Sequence, residues 1–202
     1  AYYHKKRKMR IVFMGTPDFA VASLDMLLKN GCNIVGVITA PDRMGGRGMK
    51  QIIQSPVKQH ALKWNLPVLQ PEKFKNEDFI NTLKSLKADL QVVVAFRMLP
   101  EIVWNMPPLG TFNLHGSLLP KYRGAAPINW AIINGEKTTG VTTFMLNHEI
   151  DTGNILMKQE VEIDENDNAG TLHDKLMIVG AELVFKTVKA IESNSITPQN
   201  QE

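Results

Sequence analysis

The stretch FNLHGSLLPKYRGAAPINWAI, Phe112 to Ile132, contains a strand end, a tight turn and a helix start within 21 positions. Thr111 to His115 is a short apolar-framed run. As a strand it places Asn113 and His115 on one face, because side chains two residues apart point the same way. Gly116 and Ser117 end that strand, so the pair sits at its carboxyl end. Pro127 suits the first turn of the helix that follows. An amide donor beside an imidazole is a workable pair for stabilising an oxyanion and moving a proton. A histidine at a strand end can equally be hydrogen-bonded scaffold, and from these residues alone both readings stand.

Working back towards the N-terminus, Leu90 to Phe96 (LQVVVAF) is the most apolar run and is predicted as the central strand. Arg97 follows it directly, where ligands bind in open α/β sheets. Arg10 to Met14 (RIVFM) is a second buried strand. Thr16 can cap a helix that Pro17 starts and Gly31 ends. Ile34 to Thr39 (IVGVIT) completes a βαβ unit, so the sheet begins parallel. Gly15-Thr16-Pro17 lacks the GxGxxG pattern, and no acidic residue ends the second strand, which argues against a dinucleotide site. An anion at that helix N-terminus remains open. Pro41 to Lys50 (PDRMGGRGMK) reads as an irregular loop because of its three glycines and one proline. Its Arg43, Arg47 and Lys50 form either a solvated surface or a phosphate-contacting patch. Ser55-Pro56 starts a helix to about Asn65, Leu66 to Leu69 is a short strand, Asn76 to Leu86 is a helix, and Pro100 to Asn105 is a short one.

Towards the C-terminus, Thr138 to Leu146 alternates, with Val141, Thr143 and Met145 on one face and Thr142, Phe144 and Leu146 on the other. A polar loop, Asn147 to Gly153, leads to the strand Ile155 to Ile163, which the short connection makes antiparallel to its predecessor. Thr171 caps a last long helix to about Ser193, and Ser195 to Glu202 is polar and frayed. The fold class is α/β: a mostly parallel twisted sheet with antiparallel C-terminal strands and helices on both faces.

Of the 202 residues, 44% are hydrophobic, enough for one full core, and 21% are charged. The single cysteine, Cys32, excludes an internal disulfide framework and fits a reducing, cytoplasmic setting. No run is long and apolar enough for a membrane span. The net charge of +3 is concentrated in Lys5, Lys6, Arg7 and Lys8; the remainder sums to −1. Contact with nucleic acid must therefore be local. Residues 1–8 are read as a solvated basic tail, native or appended ahead of Met9, and 9–202 as one domain.

Asp151 is the third polar residue of interest. A carboxylate beside an imidazole favours its charged form and orients the ring. No nucleophile is convincing, since Ser117 lacks the G-x-S-x-G elbow and Cys32 has no basic partner nearby in sequence. The set suits direct transfer through a tetrahedral intermediate. The five histidines show no metal-ligand spacing, so no metal is expected.

These motifs resemble the folate-dependent formyltransferases. The Asn113/His115 stretch and the loop IDTGNIL match that family's pattern. MGTPDFA, PDRMGGRGMK and GSLLPKYRGAAP are similar to the branch that formylates initiator methionyl-tRNA, and related glycinamide ribonucleotide enzymes usually carry proline where Gly116 stands. The resemblance covers about Arg10 to Ser193 and implies the family's Rossmann-like fold and the following roles. His115 is the acid/base or electrostatic residue, Asn113 donates to the formyl oxyanion, and Asp151 sets the charge of His115 and assists proton removal from the amine. Ser117, Leu118, Leu119 and Pro120 shape the folate site. Phe96, Arg97, Met98 and Leu99, with Asn147, His148, Glu149 and Ile150, surround the pterin. Arg43, Arg47 and Lys50 meet the acceptor stem of the tRNA. The donor would be 10-formyltetrahydrofolate, with no metal and no obligate protein partner. The segment Ala95 to Pro100 is shorter than in many tRNA enzymes, and the β-barrel domain with which those enzymes help hold tRNA is not expected within these residues. Alternative acceptors are an amino sugar nucleotide, a ribonucleotide amine or water, and a folate- or nucleotide-binding module without catalysis is a third reading.

Overall fold

The computed structural model describes residues 7–201. Residues 1–6 of the basic tail lie outside the described residues, while Arg7 pairs with Asp89 at 2.7 Å. In chain order the elements are β1 (Arg10–Gly15), α1 (Asp18–Lys29), β2 (Asn33–Ile38), β3 (Arg43–Gly45), β4 (Gln51–Ile53), α2 (Pro56–Lys63), β5 (Val68–Leu69) and α3 (Glu77–Ser85). They continue with β6 (Leu90–Val94), α4 (Glu101–Trp104), β7 (Thr111–His115), α5 (Pro127–Ile133), β8 (Thr138–Met145), β9 (Ile155–Glu162) and α6 (Ala169–Glu192).

Seven strands form one sheet in the order β5-β2-β1-β6-β7-β8-β9. The first five are parallel to one another, whereas β8 is antiparallel to β7 and β9 is antiparallel to β8. As expected, β6 is central. The chain winds outward from β1 to β2 and later returns on the other side as β6, so a crevice opens at the carboxyl ends of β1 and β6.

The period of two along each strand divides the core. Ile11 and Phe13 of β1, with Val92 and Val94 of β6, pack on Leu24 and Leu27 of α1 and Leu176 and Val184 of α6. Val12, Met14 and Val93 face Phe79, Ile80 and Leu83 of α3 and Val103 of α4. Burying two apolar faces on one sheet orders the whole domain through the hydrophobic effect. The alternation expected in β8 is also present: Val141 joins the α1/α6 core and Thr143 hydrogen-bonds Thr187 of α6 at 2.9 Å, while Phe144 packs on Leu119 and Ile155.

Several expectations change. Pro17, not Thr16, occupies the N-cap of α1, because the Thr16 hydroxyl accepts from the Ala40 amide at 3.3 Å. Pro41–Lys50 is not simply irregular: β3 and β4 form a separate two-stranded hairpin. Gly46 (φ 75°) and Gly48 (φ 74°) sit between those strands, so the glycines make the reversal and spare its flanks. The strand expected through Phe96 ends at Val94, since Ala95 turns left-handed (φ 49°). The strand Leu66–Leu69 contracts to Val68–Leu69. Asn168 caps α6, and Thr171 completes a capping box three residues later. The terminal segment is not wholly frayed, because Gln199 bridges Ile155 through two backbone hydrogen bonds of 2.7 and 2.9 Å.

Candidate active site

A cleft of about 980 Å³ opens at the carboxyl ends of β1, β6 and β7. Asn113, Leu114 and His115 line it from β7, Gly116 from the turn after that strand, and Thr16 and Pro17 from the β1–α1 turn. The register of β7 against β8 sets Asn113 opposite Phe144 and His115 opposite Thr142. His115 is only 8% exposed, and its ring meets Phe144 edge-on at 6.5 Å between centroids. The imidazole is thus packed on one side and reaches the cleft on the other.

Asp151 arrives from the β8–β9 loop, 36 residues further along, at the same point. Its Oδ2 lies 3.6 Å from His115 Nδ1, with both side chains largely buried. The same oxygen accepts from the Gly124 amide at 2.7 Å. His115 Nε2 donates to the Tyr122 carbonyl at 2.7 Å. Both imidazole nitrogens therefore face acceptors, one neutral and one anionic, which fixes the orientation of the ring. Tyr122 (φ 56°) and Asp151 (φ 54°) both hold left-handed backbone conformations. The Tyr122 phenol donates to Glu136 at 2.7 Å and accepts from Asn134 at 3.0 Å, which anchors the turn beside His115.

Phe96, Arg97, Met98 and Leu99 line the cleft, as do Asn147, His148, Glu149 and Ile150. The left turn at Ala95 brings the first group inward. Arg97 stacks over Phe74 at 4.2 Å and donates to the carbonyls of Pro71 and Glu72. Partial burial pushes its guanidinium pKa down. His148 packs on Trp104 with ring centroids 5.3 Å apart.

Ser117, Leu118, Leu119 and Pro120 do not line the cleft. Ser117 and Leu119 are fully buried behind it, where Thr142 donates to the Ser117 carbonyl at 2.7 Å and accepts from the Leu119 amide at 3.1 Å. Their position is that of a support holding the turn after β7. Arg43, Arg47 and Lys50 also lie outside the cleft wall, exposed on the β3–β4 hairpin. That hairpin is rooted beside it: Ala40 lines the cleft, and Asp42 accepts from Lys58 at 2.7 Å and from Gln70 at 2.8 Å. Those two bonds hold the Asp42 carboxyl below its ordinary range.

Sequence reasoning missed Phe19, Glu101, Trp104, His173 and the run Gly124–Ile128 as cleft residues. The run of small residues, Gly124-Ala125-Ala126, was the available signal, since such residues leave room for a ligand to approach backbone. His173, on α6 and 5.4 Å from the Phe19 ring, carried none. Among the described residues no cluster of three or more His, Cys, Asp or Glu could hold a metal. Cys32 lies away from the cleft, and burial pushes its thiol pKa up, which suits packing and not nucleophilic attack. No helix among the described residues is long and apolar enough to cross a membrane.

A model of the formyl transferase family matches residues 9–188. The methionyl-tRNA formyltransferase of Bacteroides thetaiotaomicron is 62% identical over 198 residues, which cover 98% of this chain and 61% of that protein. Among solved structures, glycinamide ribonucleotide transformylase 1 from Symbiobacterium toebii superposes with a TM-score of 0.82 over 100% of this chain and 98% of its own, at 15% identity, a likeness of fold. An N-formyltransferase from Helicobacter canadensis, solved with folinic acid and dTDP-3-aminofucose, gives a TM-score of 0.71 at 25% identity, covering 96% of this chain and 68% of that one. The chain spans about three fifths of the length of the curated relatives it matches.

Proposed function

We propose that this chain, which belongs to the formyl transferase family, moves the formyl group of 10-formyltetrahydrofolate onto the amino group of initiator methionyl-tRNA. The observation that carries the reading is the meeting of Asn113, His115 and Asp151, from two separate segments, at the floor of one cleft. The relatives that it matches at about three fifths identity point to the acceptor.

The neutral amine of the methionyl ester attacks the formamide carbonyl of the donor. Negative charge gathers on the formyl oxygen as the tetrahedral intermediate forms. The Asn113 amide and the imidazolium of His115 would stabilise that oxygen in a partly dry cleft, where oriented donors are worth more than in water. Asp151 balances the imidazolium and lies within reach of the proton that leaves the amine. Collapse of the intermediate breaks the bond to the folate nitrogen, which takes up a proton. No covalent adduct with the protein is formed, consistent with the absence of an activated serine or cysteine at the cleft among the described residues.

Around this centre, Phe96 to Leu99 and Asn147 to Ile150 form two walls that suit a flat aromatic donor such as a pterin. Ser117 to Pro120 would shape the folate site from behind. Arg43, Arg47 and Lys50 would contact phosphates of the acceptor stem, with the hairpin root keeping them close to the cleft mouth.

The test is single-turnover transfer of labelled formyl from 10-formyltetrahydrofolate to initiator methionyl-tRNA, with protein in excess at low salt. The expected result is transfer that His115→Ala abolishes. Transfer to a small amine but not to tRNA would refute the acceptor and keep the chemistry. Donor binding without transfer to any amine or to water would refute both.

A further inference from the structure

We propose that Gln201 is a positioning residue that clamps together the two loops on either side of the His115–Asp151 pair; the catalytic part of this inference rests on the formyl-transfer reading. After α6 the chain returns to the sheet edge, where Gln199 exchanges backbone hydrogen bonds with Ile155 at the start of β9. Two residues later the Gln201 side chain enters a gap between the loop 147–153 and the loop 121–126. Its Nε2 donates to the carbonyls of Asp151 and Gly153, each at 2.8 Å. Its Oε1 accepts from Arg123 Nε at 3.1 Å and from Nη2 at 2.8 Å. All four hydrogen-bonding positions of one amide are thereby used. The amide orientation follows from its partners, since the opposite one would face donors with donors and acceptors with acceptors.

The same two loops meet once more, at the bond from the Gly124 amide to Asp151 Oδ2. That bond fixes the carboxylate, whereas the Gln201 bonds fix the backbone carrying it. Asp151 needs such support because its left-handed backbone is unfavourable for a non-glycine residue. Tyr122, which accepts the His115 Nε2 bond, belongs to the loop that Arg123 tethers. The clamp therefore touches the supports of both the histidine and the carboxylate while remaining outside the cleft wall.

The experiment compares wild type, Gln201→Leu and Gln201→Glu in the chain as it stands. Leucine removes all four bonds; glutamate keeps an acceptor for Arg123 but loses both donors to the carbonyls. Three quantities are read: the single-turnover rate with its KM for the donor, amide hydrogen exchange resolved by peptide, and the thermal midpoint. In Gln201→Leu, exchange across 121–126 and 150–153 rises about tenfold while the core strands are unchanged. The turnover rate falls about tenfold with KM within about twofold, as expected when reacting groups are misplaced and not removed. Gln201→Glu falls between the two. Unchanged exchange in both loops overturns the clamp. Faster exchange with an unaltered rate in an active protein overturns the positioning role, and uniform acceleration with a lowered midpoint shows a merely structural residue. If wild type transfers no formyl at all, the functional reading fails, and the exchange data still decide whether the clamp exists.

Discussion

Gly153→Ala should damage the site through geometry alone. Gly153 lies two residues after Asp151, and a Cβ there would overlap the Met145 carbonyl group, both its oxygen and its carbon. Relief requires the loop to move by roughly 1.5–2 Å to restore van der Waals separation. The adjoining bond from the Met145 amide to the Asn154 carbonyl, now 2.9 Å, would be strained or lost. Losing it costs about 1–3 kcal/mol, a fall in melting temperature of roughly 3–8 °C for a domain of this size. The larger effect is positional. Asp151 Oδ2 stands 3.6 Å from His115 Nδ1, and a loop shift of that size carries the carboxylate out to about 5 Å. A misplacement of about 1 Å in a reacting group can cost on the order of tenfold to a hundredfold in rate. Single-turnover transfer at saturating donor should therefore slow by about tenfold or more, with the fold retained by circular dichroism. An unchanged rate together with an unchanged melting temperature would refute the close approach of these two backbones.

Other perturbations probe other parts of the site. Asn113→Ala should lower the transfer rate by about a hundredfold with little change in donor affinity, the loss expected for one oxyanion donor; stopped-flow or quench measurement checks it. Replacing Arg43, Arg47 and Lys50 together with Gln should weaken tRNA binding and flatten its salt dependence by roughly 0.7–0.9 log units per lost phosphate contact, while transfer to a small amine, where measurable, stays intact. Asp167 is held below its ordinary carboxyl range chiefly by its hydrogen bond to Lys175. A depressed acid stabilises the fold above its unfolded pKa and loses that contribution as pH falls through the folded one. Denaturant unfolding should therefore show the gap between wild type and Lys175→Met closing as the pH is lowered below about 4, and a gap that persists there would count against the pair.

Much of the fold was legible because it rests on periodicity. The run LQVVV is apolar but for Gln91, so burial on both sides was expected, and β6 is the central strand. The alternation in β8 sorted its residues into two faces, and the structure sets the Val141/Thr143 face against α6. Short-range chemistry was harder to read. Three glycines in Pro41–Lys50 suggested an irregular loop because composition does not tell a strand breaker from the reversal between two strands. Ala95 carries no local signal for a left-handed conformation; the packing after β6 imposes it. Gln199 and Gln201 looked like a polar end because their partners, Ile155, Asp151 and Arg123, are more than forty residues away.

By itself the sequence determined the layered α/β architecture, the βαβ beginning and the shared face of Asn113 and His115, since all of these follow from the geometry of neighbouring residues along one chain. Only the tertiary structure decided that Asp151 stands 3.6 Å from His115, that Ser117 and Leu119 lie buried behind the cleft wall, and that Gln201 joins the two loops. Those relations depend on how strands separated by whole elements are ordered in the sheet. Periodicity along the chain fixes which way a side chain points, but not which distant segment it will meet.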